Sequence, residues 1–170
     1  MVGAIPVLIF FPRIRDFLWL ALLPVSFLWA LVVSLRRRVA AGRGYRSRLR
    51  TVCVGNLHAG GTGKTPLVAF LARELSSWNP VIVSRGYGGE KSSQGAWVDA
   101  ETLGAWREFG DEPVYLAQVT KRPVRIGADR AKSAKAVEST HPGALILMDD
   151  GFQNFDLQHD VDIVVLPELC

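Results

Sequence analysis

The sequence has 170 residues, of which 49% are hydrophobic and 21% charged, and this composition suits one folded domain and excludes a disordered chain or a disulfide scaffold. The positive charge is confined to residues 1–50, where nine arginines and one aspartate give a formal net charge of +8. Because the 11 basic and 15 acidic residues of 51–170 give −4, a protein that coats nucleic acid is not expected.

The first predicted element is an apolar helix at 17–34. None of these 18 residues is charged, and arginines flank the segment on both sides. Such a helix would be about 27 Å long, just enough for the hydrocarbon core of a bilayer, so residues 1–50 are predicted to form a membrane anchor with an Arg-rich collar. A cleaved signal peptide and a buried core helix are the alternatives. The seven arginines at 36–50 would bind anionic lipids and keep the next domain in the cytoplasm.

Residues 51–170 are predicted to form an α/β domain. Short apolar runs predict buried strands at 51–54, 81–84, 144–148 and 161–166, and helices are predicted at 64–75, 112–119 and 129–137. Strands that alternate with helices favour a parallel sheet with helices on both faces. The Gly- and Ser-rich segment 85–98 is expected to be a mobile loop or hairpin outside the core.

A glycine-rich segment between the first strand and the first helix predicts a phosphate-binding loop. The residues expected to bind nucleotide are His58, Ala59, Gly60, Gly61, Thr62, Gly63, Lys64 and Thr65. Glycines allow backbone N–H groups to turn toward a phosphate chain, and the helix N-terminus adds positive charge. Lys64 is expected to reach the terminal phosphates and Thr65 to hold Mg²⁺. His58 stands where the usual pattern has its first Gly, and it is expected to pack in the loop.

Two acidic motifs follow. A buried strand ends at Asp149 and Asp150, and ligands of such sheets bind beyond the carboxyl ends of the strands, so Asp149 is predicted to bind Mg²⁺ near Thr65. Asp150 either supports the metal or caps the following turn. In the motif GDEP, the spacing alone favours Asp111 as a helix N-cap.

Five motifs in this order resemble the tetraacyldisaccharide 4′-kinase family: GNLHAGGTGKTP, SRGYGG, GDEP, GADR and LMDDGFQ. The resemblance implies a P-loop NTPase-like kinase that uses ATP and Mg²⁺ to phosphorylate the 4′-hydroxyl of tetraacyldisaccharide 1-phosphate, giving lipid IVA at the cytoplasmic face of the bacterial inner membrane. It implies that Asp111 is the general base and that Lys64 stabilises the transferred phosphate. It also implies that the segment with Arg85, Gly86 and Tyr87 is a lid near nucleotide and substrate.

The resemblance also implies a second lobe, with a histidine that supports the catalytic aspartate. Residues 51–170 are expected to be the kinase core without that lobe and to have low activity. His141 and His159 do not match that histidine and are expected to be turn or surface residues. Cys53 and Cys170 form no CxxC pair, so no His/Cys metal cluster is predicted and a reducing compartment is favoured.

Two other functions remain open at this point. A membrane-recruited ATPase switch uses a similar loop, but Ala59 stands where K-G-G-x-G-K-T has its signature lysine. A nucleotide-binding remnant without activity is the other alternative. Transfer of phosphate to the lipid acceptor would distinguish the three functions. The sequence predicts no oligomeric state.

Overall fold

The computed structural model describes residues 44–56, 63–101 and 104–166, and five helical positions nearer the N-terminus: Pro24, Phe27, Leu28, Leu31 and Val32. The chain forms two compact units, Met1–Ala41 and Gly42–Cys170. The described strands are β1 Thr51–Asn56, β2 Pro80–Ser84, β3 Ala96–Val98, β4 Val124–Ile126, β5 Leu145–Asp149 and β6 Val161–Val165. The α-helices of the second unit are α1 Lys64–Glu74, α2 Trp106–Phe109, α3 Asp111–Thr120 and α4 Arg130–Thr140.

The six strands form one sheet in the order β3-β4-β2-β5-β1-β6. Five of them are parallel, and β3 runs antiparallel to β4 at one edge. Val54 of β1 lies beside Asp149 of β5, so the carboxyl ends of these two strands meet. The predicted α/β sheet is therefore confirmed, with β3 as its antiparallel exception. The prediction that the strand at 161–166 is buried is wrong, because β6 lies at the edge of the sheet and its residues are exposed or half-buried.

Successive residues of a strand point to opposite faces of the sheet, so a strand that is apolar throughout has apolar side chains on both faces. Helices cover both of these faces. Val54 and Leu147 pack in a core cluster with residues of α1 and α3, whereas their neighbours Cys53 and Met148 pack with residues of α4. All four side chains are fully buried. Burial of a Val, Leu or Met side chain contributes roughly 1.5–3 kcal/mol. Hydrophobic burial on the two faces thus holds the sheet and fixes its strand ends.

Segment 85–98 differs from the prediction at its C-terminal end. Ala96–Val98 forms β3, and Val98 is 1% exposed and belongs to the core. The interpretation of this end as a loop outside the core is therefore wrong. Neither β3 nor β4 was predicted, because each has only three residues and β4 carries Arg125 at its centre.

Part of the Arg-rich collar packs on the α/β unit. Tyr45 forms a parallel bridge with Leu157, and its hydroxyl donates to Glu138 at 2.8 Å. The Ser47 hydroxyl donates to the other oxygen of Glu138 at 2.6 Å. Among the described residues, no helix is both long and apolar enough to cross a bilayer. Most of the predicted anchor at 17–34 lies outside the described residues.

Candidate active site

Helix α1 begins immediately after the predicted phosphate-binding loop. Its N-cap is Gly63, in the left-handed region at φ 79°, where glycine is favoured because it has no Cβ. Pro66 lies in the first turn, where its missing N–H is not needed. Lys64 and Thr65 are therefore the first two residues of the helix, as predicted. The remaining loop residues lie outside the described part of the chain: His58, Ala59, Gly60, Gly61 and Thr62.

The Lys64 ammonium lies between the ends of β1 and β5. Its Nζ donates to Asn56 Oδ1 at 3.0 Å and lies 3.4 Å from Asp150 Oδ1. The Lys64 side chain is 17% exposed, whereas that of Asp150 is 62% exposed. Asp150 adopts a left-handed conformation at φ 53°, which turns the chain directly after β5. The structure thus brings together Lys64 and the acidic pair that the sequence placed in one site.

Asp149 is the most perturbed carboxylate of this site. It is 2% exposed, and neither carboxylate oxygen has a hydrogen-bond partner among the described residues. The pKa of Asp149 is raised to about 7, by burial first and then by the negative charges of Glu112 and Asp150, against the opposing charges of Lys64 and Arg130. A buried carboxylate without partners is costly unless it is protonated or binds a cation. Its oxygens therefore fit Mg²⁺, which prefers oxygen ligands.

Arg130 supplies a second fixed positive charge near Asp149. It is 3% exposed and donates from Nη1 to the Gly127 carbonyl oxygen. Burial lowers the pKa of Arg130 to about 10, and the Asp149 charge opposes this shift. The pKa of Arg130 is also lowered by Arg85, so this predicted lid residue is within electrostatic range of the site. Arg130 stays charged at neutral pH.

Asp111 and Glu112 lie in the first turn of α3 but face different surroundings. The N-cap of α3 is Gly110, and no side chain caps the helix, so the N-cap interpretation of Asp111 is wrong. Asp111 borders an open groove of about 450 Å³ that is also lined by Trp106, Val114, Tyr115 and Gln118. Glu112 instead acts on Asp149, whose pKa its charge raises. The two acids of GDEP are therefore adjacent in sequence but have different surroundings, the groove for Asp111 and the buried Asp149 for Glu112.

The predicted lid segment is packed against the start of α3. Gly86 is buried at φ 71°, and Tyr87 is 84% exposed. A Cβ on Gly89 would lie 2.5 Å from the Phe109 carbonyl carbon, and one on Gly110 would lie 2.6 Å from the Tyr87 carbonyl oxygen. Real Cβ atoms essentially never approach so closely. The glycines of SRGYGG and GDEP therefore allow the two backbones to touch.

Comparison with known proteins agrees with this geometry. The family model described as "LpxK: Tetraacyldisaccharide-1-P 4'-kinase" matches residues 18–169. The chain belongs to this family. A tetraacyldisaccharide 4′-kinase of Aromatoleum aromaticum is 44% identical over 153 residues, which cover 86% of this chain and 45% of the relative. The predicted family resemblance is confirmed.

A solved structure supports the same fold. The crystal structure of "apo" form LpxK from Aquifex aeolicus in complex with ATP is similar to this chain, with a TM-score of 0.74 and 31% sequence identity. The match covers 85% of this chain and 47% of that chain. The chain thus spans about half the length of the LpxK proteins that it matches.

Three site residues were not assigned a role from the sequence, although each lies in a motif of the LpxK family. Asn56 in GNL binds Lys64, Glu112 in GDEP acts on Asp149, and Arg130 in GADR lies buried near Asp149. Their presence in these motifs was the only indication that the sequence offers of a role. The role itself depends on which side chains each residue contacts, and these come from other strands and helices.

The pKa of Asp149 predicts how ligand-free stability changes with pH. A carboxyl with a folded-state pKa of about 7, above its ordinary 3.8, binds more protons folded than unfolded, so stability falls as pH rises between these values. Asp149→Asn should remove this pH-dependent loss of stability. When the pH is raised from 5 to 8, its free energy of unfolding should therefore increase by roughly 2–4 kcal/mol relative to that of the native chain. Urea unfolding without nucleotide or metal measures it.

The matched control is Glu101→Gln, which removes an exposed carboxylate. The stability of this variant should change with pH as that of the native chain does, because both contain Asp149. The contributions of the other titrating groups are the same in the two proteins and cancel. Mg²⁺ should stabilise the native chain more than Asp149→Asn. An identical pH dependence in the native chain and Asp149→Asn would contradict a raised pKa for Asp149.

Proposed function

We propose that this chain carries out the ATP-dependent phosphorylation of the 4′-hydroxyl of tetraacyldisaccharide 1-phosphate, a lipid A precursor, with Mg²⁺. One observation carries the proposal: Lys64, at the start of α1, lies beside the acidic pair that ends β5. The name of the Aromatoleum relative and the ATP complex of the Aquifex structure support the same reaction. The open groove beside Asp111 supports a site for an acceptor.

Each residue has a separate task in this proposal. Lys64 binds the terminal phosphates and stabilises the charge of the transferred group. Asp149, with Thr65, Glu112 and Asp150, holds Mg²⁺, which when bound neutralises phosphate charge. Asp111 accepts the proton of the attacking hydroxyl. Catalysis of this kind depends mainly on positioning and electrostatics, which this arrangement of charges supplies.

The groove beside Asp111 is suited to a sugar. Trp106 and Tyr115 line it and are 51% and 48% exposed. Aromatic faces offer apolar surface to the C–H groups of a sugar ring, while Gln118 can exchange hydrogen bonds with its hydroxyls. We infer that the acceptor sugar lies in this groove with its 4′-hydroxyl toward Asp111.

The test is transfer of labelled γ-phosphate from ATP to tetraacyldisaccharide 1-phosphate. Two forms are assayed: the 170-residue chain, and an extended form in which it is joined to the rest of the Aromatoleum relative. Lipid phosphorylation by at least one form, lost in Asp149→Asn, is the expected result. Hydrolysis of ATP without lipid phosphorylation in both forms would instead favour an ATPase switch. Nucleotide binding without turnover in both forms would favour a remnant.

We further propose that the first unit attaches the chain to the bacterial inner membrane, with the kinase site on the cytoplasmic face. The four described apolar residues at 27–32 are helical and exposed, with 73% of Phe27 and 61% of Leu28 accessible. None of the 18 residues at 17–34 is charged, so a helix of this sequence carries no charged side chain on any side. An apolar helix flanked by arginines is typical of segments that bind anionic bilayers.

Vesicle flotation tests the attachment. The native chain should float with vesicles that contain anionic lipid, and Phe27→Asp with Leu31→Asp should reduce the bound fraction several-fold, because two charges in the apolar segment oppose its burial in lipid. The control is Tyr87→Asp, which adds a charge at an exposed aromatic residue of the second unit. Unchanged flotation of the double variant would exclude this apolar segment as the attachment.

A further inference from the structure

Pairing of β1 with β6 brings together three metal-ligating side chains that have no assigned part in the kinase site. Cys53 and Asp162 are direct neighbours in the parallel register of these strands. His159 precedes β6 by two residues, and its Nδ1 lies 2.9 Å from Asp162 Oδ1. The Cys53 sulfur, one ring nitrogen of His159 and one oxygen of Asp162 lie within 4.8 Å of one another. The expectation that the chain has no His/Cys cluster is therefore wrong.

One buried polar atom of this cluster has no partner among the described residues. His159, expected at the surface, has a side chain only 9% exposed, and its buried Nε2 has no hydrogen-bond partner among the described residues. Cys53 is fully buried, and its environment raises the pKa of its thiol to about 12, through burial first and then the negative charge of Asp162. A divalent cation would offset that negative charge and stabilise the thiolate.

The ligand types indicate which cation fits. A thiolate, an imidazole and a carboxylate match Zn²⁺, which accepts sulfur, nitrogen and oxygen ligands, whereas Mg²⁺ prefers oxygen alone. Bond lengths to zinc place tetrahedral ligand atoms roughly 3.3–3.8 Å apart, so small side-chain rotations would close the cluster. The Cys53 side chain packs with Met148 and Leu157, and this apolar surrounding keeps water from competing at the sulfur.

We propose that Cys53, His159 and Asp162 bind a thiophilic divalent cation, Zn²⁺, as a second metal site distinct from that of the nucleotide. Binding converts the Cys53 thiol to a thiolate and releases its proton to solvent, and the fourth zinc position is left to water. The cation joins β1 to β6 by bonds to side chains of both. Because β1 also ends at Asn56, which binds Lys64, the site stabilises the strand that leads to the phosphate-binding loop.

Cobalt is the probe for the experiment, because thiolate-bound Co²⁺ has a charge-transfer band in the near ultraviolet. The metal-free, reduced full chain is titrated with Co²⁺ and then with Zn²⁺, with excess Mg²⁺ and ATP present to occupy the kinase site. One Co²⁺ per chain should bind with this band, and Zn²⁺ should remove it by displacement. Zn²⁺ should also raise the melting temperature of the native chain.

Four variants locate the site. Cys53→Ser should lose the band, and His159→Gln should weaken metal binding by roughly 10–100-fold or more, as at other perturbed zinc sites. Cys170→Ser and His141→Gln, the matched controls, should bind as the native chain does. His159 lies outside the strands, so His159→Gln carries the test if Cys53→Ser does not fold. The proposal is overturned if the native chain binds no stoichiometric metal, if the band persists without Cys53, or if His159→Gln binds normally.

Discussion

Asp111→Asn should lower kcat for transfer to the lipid acceptor by roughly 10²–10⁴, which is the usual contribution of a positioned general base. The affinity for MgATP should hardly change, because Asp111 borders the groove and no described contact joins it to Lys64 or Asp149. An amide of nearly the same shape cannot accept the proton of the hydroxyl. The measurements are steady-state kinetics in a form that transfers phosphate, and nucleotide titration of the same sample.

The neighbouring acid provides the matched comparison. Glu112→Gln removes a negative charge that raises the pKa of Asp149, so that pKa should fall, while the affinity for MgATP weakens because a cation ligand is lost. The two substitutions should therefore change different quantities: Asp111→Asn should lower kcat, whereas Glu112→Gln should weaken the binding of MgATP. If Asp111→Asn retained full kcat, or if its loss were entirely in MgATP affinity, Asp111 would not be the base.

Lys64→Ala should lower kcat/KM for phosphate transfer by roughly 10²–10³, the loss typical when one charge-stabilising donor is removed. MgATP should bind roughly 10–100-fold more weakly, because a charge-assisted hydrogen bond to phosphate is lost. The pKa of Asp149 should also rise further, since the Lys64 charge now opposes its rise. More protonated Asp149 weakens cation binding below neutral pH, so the defect should be larger at pH 6 than at pH 8.

Lys132→Ala is the control for this change. Lys132 is also near the start of a helix, but its side chain is 84% exposed and paired with Asp129 on the surface. It should leave kcat/KM and MgATP affinity unchanged. Nucleotide affinity that is equal in the native chain and in Lys64→Ala would contradict the role of Lys64.

The main strands and the loop were predictable because their signals are local. Mostly apolar runs marked β1, β2 and β5, since strands buried on both faces need apolar residues at nearly every position. The run that marked β6 contains Asp162, and this strand lies at the edge of the sheet with its residues exposed or half-buried. The site at the strand ends follows from the topology of parallel sheets. Three-residue strands such as β4 lack such a run and are fixed by pairing with their neighbours.

The finer features depend on positions that the sequence does not specify. Whether Asp111 or Glu112 faces Asp149 depends on where α3 begins, and this is set by Gly110 at φ 90°. The cluster of Cys53, His159 and Asp162 depends on the register between β1 and β6, which are far apart in the chain. Only the folded sheet places these residues together.

The contact between the glycines of SRGYGG and GDEP restricts how these motifs can diverge. A side chain at Gly89 would meet the backbone of Phe109, and one at Gly110 would meet that of Tyr87, so a substitution in one motif requires the other backbone to move. Single substitutions at these positions should be harmful in any lineage, even where the paired change is tolerated. Substitutions in the two motifs should therefore occur together in evolution. Chimeras of related kinases should stay folded when both motifs come from the same parent.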